Sequence, residues 1–316
     1  MACPNIYFKE RNAENSSIFF LHGGKMINCI KSEIKTFCFS KVFWIGLLII
    51  FVVPIIFQVN SYKEMQYYAK ENIAIIDELV NSGEEVDYSS VEESIRTIYK
   101  TFHPQTSINN GLAVLLGLGL IGFPLVFSVY AGKEYKRYTI KPKIVYYSLS
   151  KVFLSKIIVS GASLFGFLVI YSIVCFIVSK ICWAKYLIAV FDGSGIQFDD
   201  IQFSMLENTR SLFLVFVILI FYSLCCMIVS LVCKNSVSGV IATIVLNYVS
   251  LPTEFSPHHI FYKLINSCFY QSEVSVFEFK ASSYATLPNE VGMIIIVLYF
   301  IIALTTILVL GKLQKN

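Results

Sequence analysis

The chain has 316 residues, 56% of them hydrophobic and 15% charged, with a mean hydropathy of +0.68. Soluble domains hold about 45–50% apolar and about 25% charged residues, and a soluble fold this greasy would expose more apolar surface than water tolerates, so a water-soluble globular domain is excluded. The net charge of +4 conceals a sharp segregation of charge along the chain.

Residues 1–25 contain no apolar run of signal-peptide length, because Ile18–Leu21 is too short. Gly23-Gly24-Lys25 directly before Met26 resembles a translated ribosome-binding site, so Met26 is expected to be the native start. Residues 1–25 are then an extension, and 26–316 form one transmembrane domain. From Met26, Ile27, Ile30, Ile34 and Phe37 recur at helical spacing, with Lys31, Glu33 and Lys35 elsewhere. This pattern reads either as an amphipathic helix along the inner membrane surface or as a plain basic anchor.

Six uncharged apolar stretches follow: Val42–Val59, Gly111–Ala131, Ile157–Ser179, Leu212–Cys233, Val237–Leu251 and Val291–Gly311. A crossing helix needs about 20 apolar residues. Val237–Leu251 is the short one and reads either as a span extended by its uncharged flanks or as a buried half-helix. The predicted fold is therefore all-α, with six transmembrane helices.

Charge sets the orientation. Lys25, Lys31, Lys35 and Lys41 precede the first span against Glu33 alone, and Lys133, Lys136, Arg137, Lys141, Lys143, Lys151 and Lys156 follow the second against Glu134 alone. Lys234 occupies the fourth loop, and Lys312 and Lys315 the tail. Residues 60–110 carry nine acids against four bases, 180–211 four against three, and 252–290 four against two. Basic loops stay in the cytoplasm, so both termini are predicted there, in a multi-pass protein of the cell membrane.

The outer loop Asn60–Asn110 contains helix-like stretches at Lys63–Val80 and Ser89–Phe102, separated by a turn at Asn81-Ser82-Gly83. Before the last span lies an aromatic segment in which Ile260, Leu264 and Cys268 share one helical face. It reads as a re-entrant or interfacial helix, a depth that aromatic rings favour. Of the nine cysteines, only Cys182 and Cys268 fall in outer segments, so they are the one pair that topology allows for a disulfide.

Gly117-Leu-Gly119-Leu-Ile-Gly122 fits GxGxxG, but it lies inside an uncharged run with no preceding strand. It reads as close helix packing, not dinucleotide binding. Glu92-Glu93-Ser94-Ile95-Arg96 is one residue short of the EExxxR motif of intramembrane proteases, and no apolar stretch carries a histidine. His258 and His259 read as loop residues, since metals need three or four converging ligands. The chain contains no GxxxxGK[ST] phosphate loop. The apolar stretches contain no Asp, Glu, Lys, Arg or His, so coupling-ion transport lacks its usual carriers. Asn247 is the one deep amide the pattern singles out.

The basic loop carries a resemblance. Gly132-Lys133-Glu134-Tyr135-Lys136-Arg137-Tyr138-Thr139-Ile140-Lys141, followed by Ser150-Lys151-Val152-Phe153-Leu154-Ser155-Lys156, resembles the corresponding loop of type-2 ABC exporter permeases. Tyr138 stands where that family has glycine, and Pro142 interrupts the middle. The six spans, the long first outer loop and the re-entrant element are similar to that family as well. The resemblance implies a permease subunit that pairs with a second permease copy or paralogue and with a cytosolic ABC ATPase. ATP and Mg would be bound on the partner, and this chain would carry no cofactor, no catalytic or metal residues and no nucleic acid. It implies coupling through Glu134, Tyr135, Thr139, Lys141 and Lys156, and an outer gate at Phe261, Tyr262, Phe269 and Tyr270, with an amphipathic or apolar cargo (peptide, drug or lipid). The alternative is a membrane scaffold or sensor that binds a partner through its acidic outer loop.

Overall fold

The computed structural model describes residues 20–82, 89–136, 143, 146–196, 198, 201, 205–248, 252–269 and 283–313. The candidate start at Met26 lies inside the first helix, and residues 1–19 are outside the described set.

Among the described residues the protein is all-helical: α1 (Phe20–Cys38), α2 (Lys41–Ser82), α3 (Ser89–Phe102), α4 (Ser107–Lys136), α5 (Leu149–Cys182), α6 (Met205–Val232), α7 (Ser236–Tyr248), α8 (Pro257–Cys268) and α9 (Asn289–Leu313). A π-helical turn at Trp183–Leu187 carries α5 on into Ile188–Asp192. Five helices are long and apolar enough to cross a membrane: α2, α4, α5, α6 and α9. The chain is thus a multi-pass membrane protein.

Helix α4 is central. It contributes none of the large exposed hydrophobic side chains, whereas Ile45, Leu48 and Ile49 on α2 and Ile294, Val297, Leu298 and Ile301 on α9 face outward, where lipid replaces water. Gly119 faces Leu219 of α6, and a Cβ on Gly122 would lie 2.7 Å from Ile50 of α2. The GxGxxG stretch is a packing surface, as its setting suggested. Helix α4 continues through Pro124 to Lys136.

The fifth predicted span, Val237–Leu251, corresponds to the 13-residue helix α7. At 1.5 Å per residue it is about 20 Å long, short of a hydrocarbon core of about 30 Å. Its first turns are wedged between α4 and α6, where a Cβ on Gly239 would meet Ser128 Oγ at 2.7 Å and the Cys226 carbonyl at 2.8 Å. Gly239→Ala is therefore expected to destabilise the bundle by about 1–3 kcal/mol through overpacking, while Gly166→Ala, which meets nothing within 4 Å, should be neutral. Equilibrium unfolding of both variants in bicelles checks this.

Contacts also fix helix direction. Phe221 of α6 packs on Tyr299 and Phe300 of α9 with ring centroids at 6.1 and 5.6 Å. Met227 and Leu231 cluster with Ala303 and Ile307. Helices α6 and α9 therefore run the same way, which places Val232 and Asn289 at opposite ends of the bundle. Helices α7 and α8 lie between them. Helix α8 forms where the spacing predicted a helix, and its Ile260, Phe261, Leu264 and Ile265 are buried in the main core. His259 is buried too.

The segment expected as an outer loop, residues 60–110, is mostly helix among its described residues. Lys63–Val80 is the continuation of α2, whose 42 residues would span about 63 Å, roughly twice a membrane core. Helix α3 occupies Ser89–Phe102 as the pattern predicted. Beyond the bundle, α2, α3 and the far end of α5 share a satellite core of Tyr62, Met65, Ala69, Ile95, Phe102, Trp183, Leu187 and Phe191. Cys182 and Cys268 are both free thiols.

Candidate functional site

Hydrophobic burial brings the start of α5 against α1 and the end of α4. Four charged side chains meet there, with polar groups of Tyr130, Thr36, Cys29 and Ser155 around them. Glu33 of α1 is fully buried. Its Oε1 accepts from Lys143 Nζ at 2.7 Å, and its Oε2 accepts from Lys156 Nζ at 2.9 Å and from the Tyr130 hydroxyl at 2.7 Å. Glu134, at the end of α4, bonds Lys143 through Oε1 and lies 3.0 Å from Lys156 Nζ through Oε2. Lys156 is fully buried, and its ammonium sits 4.4 Å from the centroid of the Tyr130 ring. Thr36 Oγ1 accepts a 3.3 Å bond from Lys143, and Cys29 and Ser155 touch across α1 and α5 at 3.3 Å.

With all four groups ionised, two carboxylates face two ammoniums and the net charge is zero. Burial alone would raise the Glu33 carboxyl, but Lys156 and Lys143 outweigh it and hold it below the usual range. Burial opposes the charged form of Lys143, and Glu33 and Glu134 outweigh that and raise it. Burial pushes the Cys29 thiol up, which disfavours the reactive thiolate. The arrangement is an ionic tie between three elements. No group of three or more His, Cys, Asp or Glu able to hold a metal occurs among the described residues.

Of the coupling residues implied by the resemblance, Glu134 and Lys156 meet in this cluster. Tyr135 lies next to it, partly buried against the cluster around Ala131 and Phe153, while Thr139 and Lys141 lie outside the described residues. Of the gate residues implied by the resemblance, Phe261, Tyr262 and Phe269 are buried within the chain; Tyr270 lies outside the described residues.

Sequence reasoning missed Glu33, Lys143 and Tyr130. It put Ile27, Ile30, Ile34 and Phe37 on the face of α1 turned to the membrane surface; Ile27 and Ile34 are exposed, and the face packed inside the protein is Cys29, Glu33 and Phe37. A signal was present: Glu33 and Glu134 are the lone acids of two basic segments. It also missed Gln58, which is fully buried and donates to Ser179 Oγ at 2.8 Å. The side chain of Asn247 is outside the described set. Compared with known family models, curated proteins and solved structures, the chain matches none of them.

Proposed function

We propose that the chain is the membrane-spanning permease subunit of an ATP-driven ABC exporter, with hydrolysis on a separate cytosolic ATPase and a second permease copy or paralogue completing the complex. The observation that carries this reading is the meeting of Glu134 and Lys156. The loop resemblance picks out both, 22 positions apart in sequence, and they lie 3.0 Å apart in a buried network with α1. A docked ATPase acting on this end would move α1, α4 and α5 together, because one tie joins them. Six crossings with both termini cytoplasmic fit the opposed ends of Val232 and Asn289, the fifth crossing being shared by α7 and α8. An amphipathic or apolar cargo follows from the resemblance.

The orientation is tested by impermeant thiol labelling of single-cysteine variants in intact cells. Cysteines at Ser82 and Ser194 should react and one at Ser148 should not; reversed labelling of Ser194 and Ser148 overturns the topology. The exporter reading is tested by purifying the chain from its native membrane and assaying for a co-purifying ATPase.

A second reading, a scaffold or sensor, is favoured by the satellite core, which gives the acidic outer region a folded surface of its own. Retention of an outer partner with no ATPase in the same preparation would select it.

A further inference from the structure

Helix α1 is pinned by one face and leaves the other open. Cys29, Glu33 and Phe37 are buried, whereas Ile27, Lys31, Ile34, Lys35 and Cys38 are exposed. Around the helix, Ile34, Ile27 and Cys38 fall together on one edge of the open face, and Lys31 and Lys35 fall on the other. Lys41, the first residue of α2, is exposed just past the elbow between the two helices. Lys31, Lys35 and Lys41 make no ion pair or side-chain hydrogen bond, and the acid of α1, Glu33, is turned inward. The open face therefore carries uncompensated positive charge.

Contacts set the depth of this face. Glu33 meets α4 at Tyr130, and Ser40, two turns later, meets it at Lys133. That stretch of about 10 Å advances by only about 5 Å along α4, so it crosses the end of the bundle and does not continue it. On α5 the contacts of α1 fall at Lys151, Ser155 and Lys156. The uncharged apolar stretches end at Ala131 and begin at Val42 and Ile157, close to this level. Hydrocarbon begins where those stretches begin, so the open face of α1 lies at its boundary. Trp44 marks the same boundary on α2: it is half exposed, and its indole N–H donates to the Cys38 carbonyl at 2.9 Å. Tryptophan favours that depth.

We propose that the open face of α1, with Lys41 and Trp44 at the elbow, is a binding surface for anionic phospholipid headgroups. The ammoniums of Lys31, Lys35 and Lys41 meet the lipid phosphates, and Ile27, Ile34 and Cys38 lie among the upper acyl carbons. Long basic side chains reach out from such a depth while their stems stay on apolar surface. Two observations favour lipid over another chain. The face continues through Trp44 into Ile45, Leu48 and Ile49 of α2, which point outward where lipid replaces water. A second copy of the same face would set lysines against lysines, which is repulsive.

Trp44 is also the reporter. The chain has one other tryptophan, Trp183 in the satellite core, so Trp183→Phe isolates the elbow. The full chain is reconstituted in vesicles of equal phosphatidylglycerol and phosphatidylcholine, with acyl-chain bromine carried by one lipid or by the other, and quenching of Trp44 is compared. The expected result is an excess of phosphatidylglycerol at Trp44 of about fivefold or more, which corresponds to about 1 kcal/mol, the attraction of one lysine near an anionic surface. Lys31→Gln/Lys35→Gln should bring the excess to within about twofold of no selection, and salt at about 1 M should lower it as well. Lys63→Gln/Lys70→Gln, an equal change of charge at exposed residues near the far end of α2, should leave it unchanged. Should Trp183→Phe fail to accumulate, the same ratio is read as the difference between wild type and Trp44→Phe. Equal quenching by the two lipids, a Trp44 that neither lipid reaches, selection that survives Lys31→Gln/Lys35→Gln, or selection lost equally in Lys63→Gln/Lys70→Gln overturns the proposal. No ATPase enters the measurement, so its failure leaves the exporter reading standing.

Discussion

Replacing Lys156 with alanine is expected to destabilise the folded chain by about 3–5 kcal/mol, the cost of removing one partner from a buried ion pair. Lys156 is fully buried and lies within 3.0 Å of both Glu33 and Glu134. Its loss takes away an ammonium that both carboxylates face, and it also removes the cation over the Tyr130 ring. Most of the effect comes from the carboxylates left behind, not from the lost attraction itself. Lys151, one helical turn and a half earlier on α5 and only partly buried, supplies the control: Lys151→Ala should change stability by about 0.5 kcal/mol or less. Equilibrium unfolding in bicelles separates the two. Equal stabilities for Lys156→Ala and Lys151→Ala would show that the cluster contributes nothing to the fold.

Truncating Phe261 to alanine is expected to cost about 3–5 kcal/mol, the range for deleting a large buried aromatic side chain. Only 2% of Phe261 is exposed, and its ring lies 5.4 Å from that of Phe221 and 5.8 Å from that of Tyr222. A residue on an outer gate would tolerate truncation and change only transport. One seated between α6 and α8 changes whether α8 stays docked. Phe255→Ala is the comparison, since Phe255 is 58% exposed; it should leave the unfolding midpoint unchanged. Unchanged stability in Phe261→Ala would place the ring in a gate and not in the core.

The span pattern was legible because lipid removes ambiguity. An uncharged run of about span length has few alternatives in hydrocarbon, and the five long helices sit where those runs lie. The weak run at Val237–Leu251 was flagged by its length and became the short helix α7. Hydropathy marks apolar residues but not their neighbours, so it could not show whether Phe261 and Ile260 face lipid or core. The cluster was half legible: Glu134 and Lys156 came from the loop resemblance. Glu33 escaped because amphipathic reasoning assigns the polar residue of a helix to water, and here two lysines and a phenol take the place of water. Lys143 escaped because in a loop of seven basic residues nothing local distinguishes the one that is bound.

Coupling is where the exporter reading is most exposed. The chain, as wild type and as Glu134→Ala, is purified from its native host membranes, and ATP hydrolysis per folded chain is measured on the co-purified complex. The expected result is vanadate-sensitive hydrolysis carried by a P-loop partner in the wild type, reduced tenfold or more in Glu134→Ala while insertion stays normal. Absence of any hydrolysing partner with the wild type, or equal hydrolysis in both, contradicts the permease assignment.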